Sequence, residues 1–114
     1  MTQTELTGVL VAIVTPFTTD GAEVDAGALQ AHVERMIQEG VHGLVPGGST
    51  GEFTTLTVQE RSRSPSWSLR LPRDVYPWVA GVGALSTRDA VDLAAHAAAA
   101  GADALMVVPP TATR

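Results

Sequence analysis

Two hydrophobic periods alternate along this chain. Residues 8–14, GVLVAIV, form an unbroken apolar, β-branched run, the pattern of a strand buried on both faces. Thr15-Pro16-Phe17 ends it, because a proline nitrogen cannot donate to the next ladder bond. Asp20-Gly21 predicts a turn. From Asp25 the period becomes helical. Leu29, Val33, Met36 and Ile37 share one face, Gln30, Glu34, Arg35 and Gln38 face out, and Gly40 stands where a helix stop belongs. Further strands are expected at residues 43–46, 78–82 and 104–108, the last closed by Pro109-Pro110. A second helix is expected over residues 86–100, capped by Ser86 or Thr87 and stopped by Gly101, with Ala90, Val91, Ala94 and Ala98 inward. Short buried strands alternating with amphipathic helices predict βα units around a parallel sheet, in one domain over residues 1–114.

One stretch breaks the pattern. Thr57-Val58-Gln59-Glu60 is a capping box, a hydroxyl at the N-cap with a carboxylate three residues on, and it announces a helix. The continuation Arg61-Ser62-Arg63-Ser64-Pro65 has no apolar face, and Pro65 would clash with the carbonyl of Arg61. Pro72 interrupts the segment again. Residues 61–75 therefore read as a non-helical filler between a helix-start signal and the next strand, and their arginines as filler rather than a basic patch.

Between the second strand and that capping box lies the most chemically suggestive segment, Gly47-Gly48-Ser49-Thr50-Gly51-Glu52. Its glycines permit a sharp turn and close approach to a ligand. Its adjacent hydroxyls, Ser49 and Thr50, can point into whatever the turn encloses. A strand that ends in such a turn at the mouth of a helix is suited to a small anion. The plain alternative is a turn that only caps the following helix. Glu52 reads as a hydrogen-bond partner within the turn rather than a catalytic acid. Thr15 either shapes a pocket floor or bonds local backbone.

Composition narrows the field. The 114 residues are 45% hydrophobic with a formal net charge of −5, which argues against nucleic acid and anionic lipid as partners. Cysteine is absent, so neither disulfides nor thiolate chemistry enter. The apolar stretch 90–108 is interrupted by Asp92, His96 and Asp103 and does not read as a membrane span. The first residues carry neither a basic leader nor an apolar signal core, and the expected location is cytoplasmic. His32, His42 and His96 are scattered without carboxylates at metal spacing, so no metal is expected. Residues 81–86 form a partial dinucleotide fingerprint, yet it ends in Ser86, and Asp103 precedes its strand instead of following one. No nucleotide cofactor is expected.

Several motifs in fixed order carry more weight than any one of them. Val11-Ala12-Ile13-Val14-Thr15-Pro16-Phe17, Gly40-Val41 with Gly43-Leu44-Val45, Gly48-Ser49-Thr50-Gly51-Glu52, Val79-Ala80-Gly81-Val82-Gly83, and Gly101-Ala102-Asp103-Ala104 with Pro109-Pro110 follow one another. Together they resemble the dihydrodipicolinate synthase / N-acetylneuraminate lyase family, over residues 6–60 and 76–110. The resemblance implies an α/β fold, the N-terminal half of a (β/α)8 TIM barrel with about four strands and a disrupted second helix. It also implies a class I aldolase that traps pyruvate or another 2-oxo acid on a lysine as a Schiff base. Within the family, the hydroxyls matching Ser49 and Thr50 bind the oxo-acid carboxylate, and the one at Thr50 also joins a proton relay with tyrosines. No cofactor is implied. Family members are often tetramers, which implies a homo-oligomer. The commonest activity in the family is the synthase, while sialic-acid lyase and sugar-acid aldolase stay open.

The departures from the family pattern are as informative. The family's Schiff-base lysine would lie beyond Arg114, and all seven basic residues here are arginine. The relay tyrosine expected after Pro109-Pro110 is replaced by Thr111-Ala112-Thr113-Arg114, and Tyr76 precedes its strand. Residues 61–75 occupy the place of the family's second helix. Preserved spacing around a scrambled segment is the trace that two compensating reading-frame shifts leave. That is a hypothesis, which an intact frame on resequencing the gene refutes. Three functions follow as expectations: a pyruvate-dependent Schiff-base lyase by ancestry, an inactive truncated remnant of one, or a non-catalytic module that binds a small 2-oxo acid through Ser49 and Thr50.

Overall fold

The computed structural model describes residues 5–71 and 75–109. Four short strands occur in chain order: β1 (Leu10–Ala12), β2 (Gly43–Val45), β3 (Val79–Gly81) and β4 (Ala104–Met106). Each lies inside its predicted run but is shorter. β1 and β2 pair in parallel with Val11 opposite Leu44, and β3 and β4 pair in parallel with Ala80 opposite Leu105. A parallel bridge between Leu44 and Trp78 joins the two pairs. Around it the Leu44 N–H donates to the Pro77 carbonyl at 3.1 Å and the Gly81 N–H to the Pro46 carbonyl at 2.8 Å. The spatial order is therefore β1-β2-β3-β4.

Helix α1 (Ala26–Gln38) begins where the sequence places it, with the Asp25 carboxylate accepting from the Ala28 N–H. It ends at Gly40, whose N–H donates to the Ile37 carbonyl at 3.0 Å while the Val41 N–H reaches the Met36 carbonyl at 3.4 Å. That pair of bonds is a Schellman stop. The last helix, Thr87–Ala99, repeats the device, with Gly101 donating to Ala98 and Ala102 to Ala97. Its N-cap is Ser86, which accepts from the Asp89 N–H. Between them lies α2 (Val58–Ser62), so the last helix is α3.

The inward face of α3 differs from the expected one. Leu93 and Ala97 are buried and Ala90 and Ala94 half-buried, whereas Val91 and Ala98 are exposed. An alanine-rich helix offers nearly equivalent faces, and the single leucine decides which one β3 takes. Gln30 also departs from its outward assignment. Its side-chain amide donates to the Arg70 carbonyl at 3.1 Å and accepts from the Arg70 N–H at 3.0 Å, tying α1 to the segment before β3.

Two clusters form the interior. Ile13, Leu29, Val33, Leu44 and Leu69 pack between β1–β2 and α1. Trp67, Trp78, Ala80, Val82, Leu93 and Ala97 pack between β3 and α3. Both clusters lie on one side of the sheet. The expectation that the 8–14 run is buried on both faces is corrected here: Val14, whose alternation puts it on the other side, is exposed, as are Met106 and Val108 in and after β4, whereas β3 is buried at every position. Four strands do not close on themselves, so among the described residues that face is open at β1 and β4.

Residues 61–71 are not a filler. The capping box forms in full, Thr57 Oγ1 accepting from the Glu60 N–H and the Glu60 carboxylate from the Thr57 N–H, but α2 lasts only five residues. A new start follows at once. Ser64 caps a 3₁₀ turn, Pro65–Trp67, with Pro65 at its first position, where a missing N–H costs nothing. This turn carries Trp67 against Trp78, ring centroids 6.2 Å apart and planes inclined by 51°, and Leu69 follows into the other cluster. Each such buried side chain contributes about 1.5–3 kcal/mol. Proline acts here as a starter as well as a breaker.

Candidate functional site

The carboxyl ends of all four strands meet at the segment between β2 and α2. Residues 47–52 turn away from β2 and lead into a 3₁₀ turn, Phe53–Thr55, instead of an α-helix. The expected helix mouth is therefore not beside Ser49 and Thr50, and no helix dipole serves them. The loop holds itself through backbone bonds: the Gly48 carbonyl accepts from the Gly51 N–H at 3.0 Å, and the Ser49 carbonyl accepts from the Glu52 N–H at 3.0 Å.

Close backbone approach seats the loop. A Cβ on Gly81 would collide with the carbonyl of Gly47, so β3 and the start of the loop touch main chain to main chain. A Cβ on Gly51 would stand 3.1 Å from Thr15 Oγ1 and 3.2 Å from the Ile13 carbonyl, so the far end of the loop lies on the end of β1. Thr15 is buried there, which makes it part of the loop's seat. On the β4 side, the Met106 methyl lies 3.1 Å from where a Cβ on Gly48 would be.

Ser49 and Thr50 ride on this seat and are both exposed, on the edge that the strand ends define. Neither hydroxyl has a hydrogen-bond partner among the described residues. Glu52 is exposed as well, and its backbone is left-handed at φ 59°. Its carbonyl accepts from both the Thr55 N–H and the Thr55 hydroxyl. The part it plays in the turn is thus played by its main chain.

Below the loop lies a residue that sequence reasoning set aside. Arg61 is only 5% exposed. Its guanidinium donates to the Gly83 carbonyl at 2.7 Å and the Gly81 carbonyl at 3.1 Å, and its carbon lies 4.6 Å from the centre of the Phe53 ring. Its Nε has no partner among the described residues. The group borders a small cavity of about 10 Å³ with Thr15, Gly47, Phe53 and Trp67. Burial pushes its pKa down, and the negative charge of Asp89 opposes that shift. No local pattern marked it: Arg61 shares a face with Val58, three residues earlier, and that face turns inward only through Val58's packing against the core.

The other candidates disperse. The Asp103 carboxylate accepts from the Trp78 N–H at 3.0 Å, a bond that fixes strand register and leaves the nucleotide reading without its acid. His42 accepts the Val9 N–H on Nδ1 at 2.9 Å, and His96 lies 3.9 Å from Asp92 on exposed α3. No group of three metal-binding side chains forms among the described residues. Among the described residues no helix is long and apolar enough to cross a membrane. Thr111–Arg114, where the relay tyrosine was sought, lie outside the described residues.

A family model, that of the dihydrodipicolinate synthetase family, matches residues 5–112. The chain belongs to the dihydrodipicolinate synthetase family. It is 47% identical over 108 residues to the 4-hydroxy-tetrahydrodipicolinate synthase of Nitrobacter hamburgensis, covering 95% of this chain and 36% of that one. It is 48% identical over 103 residues to the Phenylobacterium zucineum enzyme of the same name, covering 34% of it. Among solved structures it resembles a putative dihydrodipicolinate synthetase from Pseudomonas aeruginosa, with a TM-score of 0.83 at 32% identity, over 96% of this chain and 38% of that one. YagE, a family member from E. coli K12 crystallised with pyruvate, gives a TM-score of 0.83 at 34% identity, over 90% of this chain and 35% of its own. This family member thus spans about a third of the length of the relatives it matches. Its open four-stranded sheet corresponds to one part of their fold.

Proposed function

We propose that residues 47–52 form the carboxylate-binding part of a 2-oxo-acid site in a dihydrodipicolinate synthase-like Schiff-base lyase, with pyruvate as the simplest ligand. Two hydroxyls without a hydrogen-bond partner among the described residues, Ser49 and Thr50, on a loop seated against two strand ends are the observation that carries this reading. The edge they occupy is where β/α enzymes assemble their sites. Thr50 is assigned a second task, relaying a proton, on family resemblance. The pyruvate in the crystals of YagE supports the choice of ligand class.

The chemistry of a class I aldolase also needs an amine that attacks the oxo carbon and carries it as an iminium. These 114 residues contain no lysine, their seven basic side chains being arginine. Arginine, with its delocalised charge and very high pKa, does not serve as that nucleophile. The chain by itself therefore holds an oxo acid without activating it.

Incubation with pyruvate, reduction with borohydride and intact-mass measurement test the second half of the reading. The expected result is no adduct beyond one at the α-amino group of Met1, which peptide mapping identifies. A stoichiometric adduct elsewhere overturns it. Calorimetry with pyruvate tests the first half, and absence of heat at millimolar ligand defeats it.

A further inference from the structure

Arg61 is the buried charged side chain among the described residues, and nothing in the proposed ligand contacts requires it. Its two hydrogen bonds and its ring contact nevertheless all end on elements that frame the loop. Gly81 and Gly83 belong to the end of β3, where Gly81 touches the start of the loop at Gly47. Phe53 is the first residue past the loop. We infer that Arg61 is a positioning residue, a strut that holds the Ser49–Thr50 loop at a fixed height over the sheet by clamping Phe53 to the Gly81 and Gly83 carbonyls.

A guanidinium is a rigid planar fork, so two bonds to carbonyls two residues apart fix its plane relative to β3. Its positive face over Phe53 then fixes that ring, a contact strengthened by exclusion of water. Gly51 is seated on β1 at Thr15, and Gly47 is seated on β3. Phe53 supplies a third attachment, and three attachments define the tilt of a loop where two leave it free to rock. Lysine could not do this, because an ammonium offers a point charge without the fork. The inference rests on the oxo-acid reading only for what the held loop is for; the strut itself is a matter of loop order.

Amide hydrogen exchange on the full chain and its Arg61→Met and Phe53→Leu variants decides it. The reporters are the loop amides of Gly51 and Glu52, which bond to Gly48 and Ser49, and the reference is the Ile13 amide, which bonds to Val45. In Arg61→Met the loop amides should exchange about tenfold faster while Ile13 keeps its rate. Phe53→Leu, which spares the carbonyl bonds, should reproduce the loop effect in milder form. Acceleration of Ile13 to the same degree makes Arg61 a general stabiliser and overturns the inference, as does an unchanged loop. Should Arg61→Met fail to fold, the Phe53→Leu comparison decides alone by the same criterion. A parallel pyruvate titration of the unsubstituted chain separates the two claims: absence of heat removes the oxo-acid reading, and the exchange rates still judge the strut.

Discussion

Trp78 and Asp103 exchange hydrogen bonds across the sheet. The Trp78 N–H donates to the Asp103 carboxylate at 3.0 Å, and the Asp103 N–H donates to the Trp78 carbonyl at 3.0 Å. The Trp78 indole N–H adds a bond to the Gly101 carbonyl at 3.1 Å. This latch ties the end of α3 to the start of β3 before either strand of that pair begins. Asp103→Ala removes a charged acceptor from a half-buried amide and should cost about 1.5–3 kcal/mol. The urea midpoint should fall with an unchanged slope; an unaltered midpoint would show that the pair is dispensable.

Backbone contact between Gly81 and Gly47 leaves no room for a methyl group. Gly81→Ala must push β3 and the loop apart, with a destabilisation of about 1–3 kcal/mol. Thermal unfolding followed by far-UV circular dichroism checks this. A melt that coincides with that of the unsubstituted chain would refute the close approach.

Exposure of Ser49 and Thr50 separates their effect on binding from any effect on folding. Ser49→Ala and Thr50→Val should each change stability by no more than about 0.5 kcal/mol. Each should weaken pyruvate about tenfold, the loss of one hydrogen bond to a charged ligand. Calorimetry on both variants measures it, and undiminished affinity would remove these hydroxyls from the site.

Among the described residues β4 pairs only with β3, and its other edge makes self-association the expected behaviour of the 114-residue chain. Leu105 is 42% and Val107 58% exposed, and strand edges with apolar side chains recruit further chains. Sedimentation velocity should show oligomers that Val107→Lys reduces. A monomer with one sharp cooperative melt would contradict this.

Low pH should loosen one turn before the rest. Asp20 Oδ1 accepts from the Thr18 hydroxyl at 2.6 Å and from the Ala22 N–H at 3.0 Å. These bonds, the Thr18 hydroxyl first, hold its carboxyl below the ordinary value of 3.8. A lowered folded-state pKa stabilises the turn above the unfolded value, and that contribution disappears as pH falls through the folded value. Carboxyl carbon shifts of Asp20 in an NMR titration should therefore report a midpoint under 3.8, and a midpoint at or above it would contradict the bonding.

Much of this molecule was legible from its residues alone because many signals act over a single turn of chain. The helix start at Asp25, Ser86 as a cap, and Gly40 and Gly101 as stops all follow from bonds closed within a few residues, and the alternation of strand and helix periods implied the parallel βα order. The ordered motifs placed the chain in its family for the same reason, each being a local backbone requirement. Tertiary structure alone decided which face of α3 turns inward, how residues 61–71 supply Trp67 and Leu69 to the core, and why Arg61 is buried. Those outcomes depend on partners twenty or more positions away, Gly81 and Gly83 for Arg61 and Arg70 for Gln30. A periodic pattern records that a side chain is apolar or charged, but only the packed neighbours determine whether a charge has carbonyls to meet it.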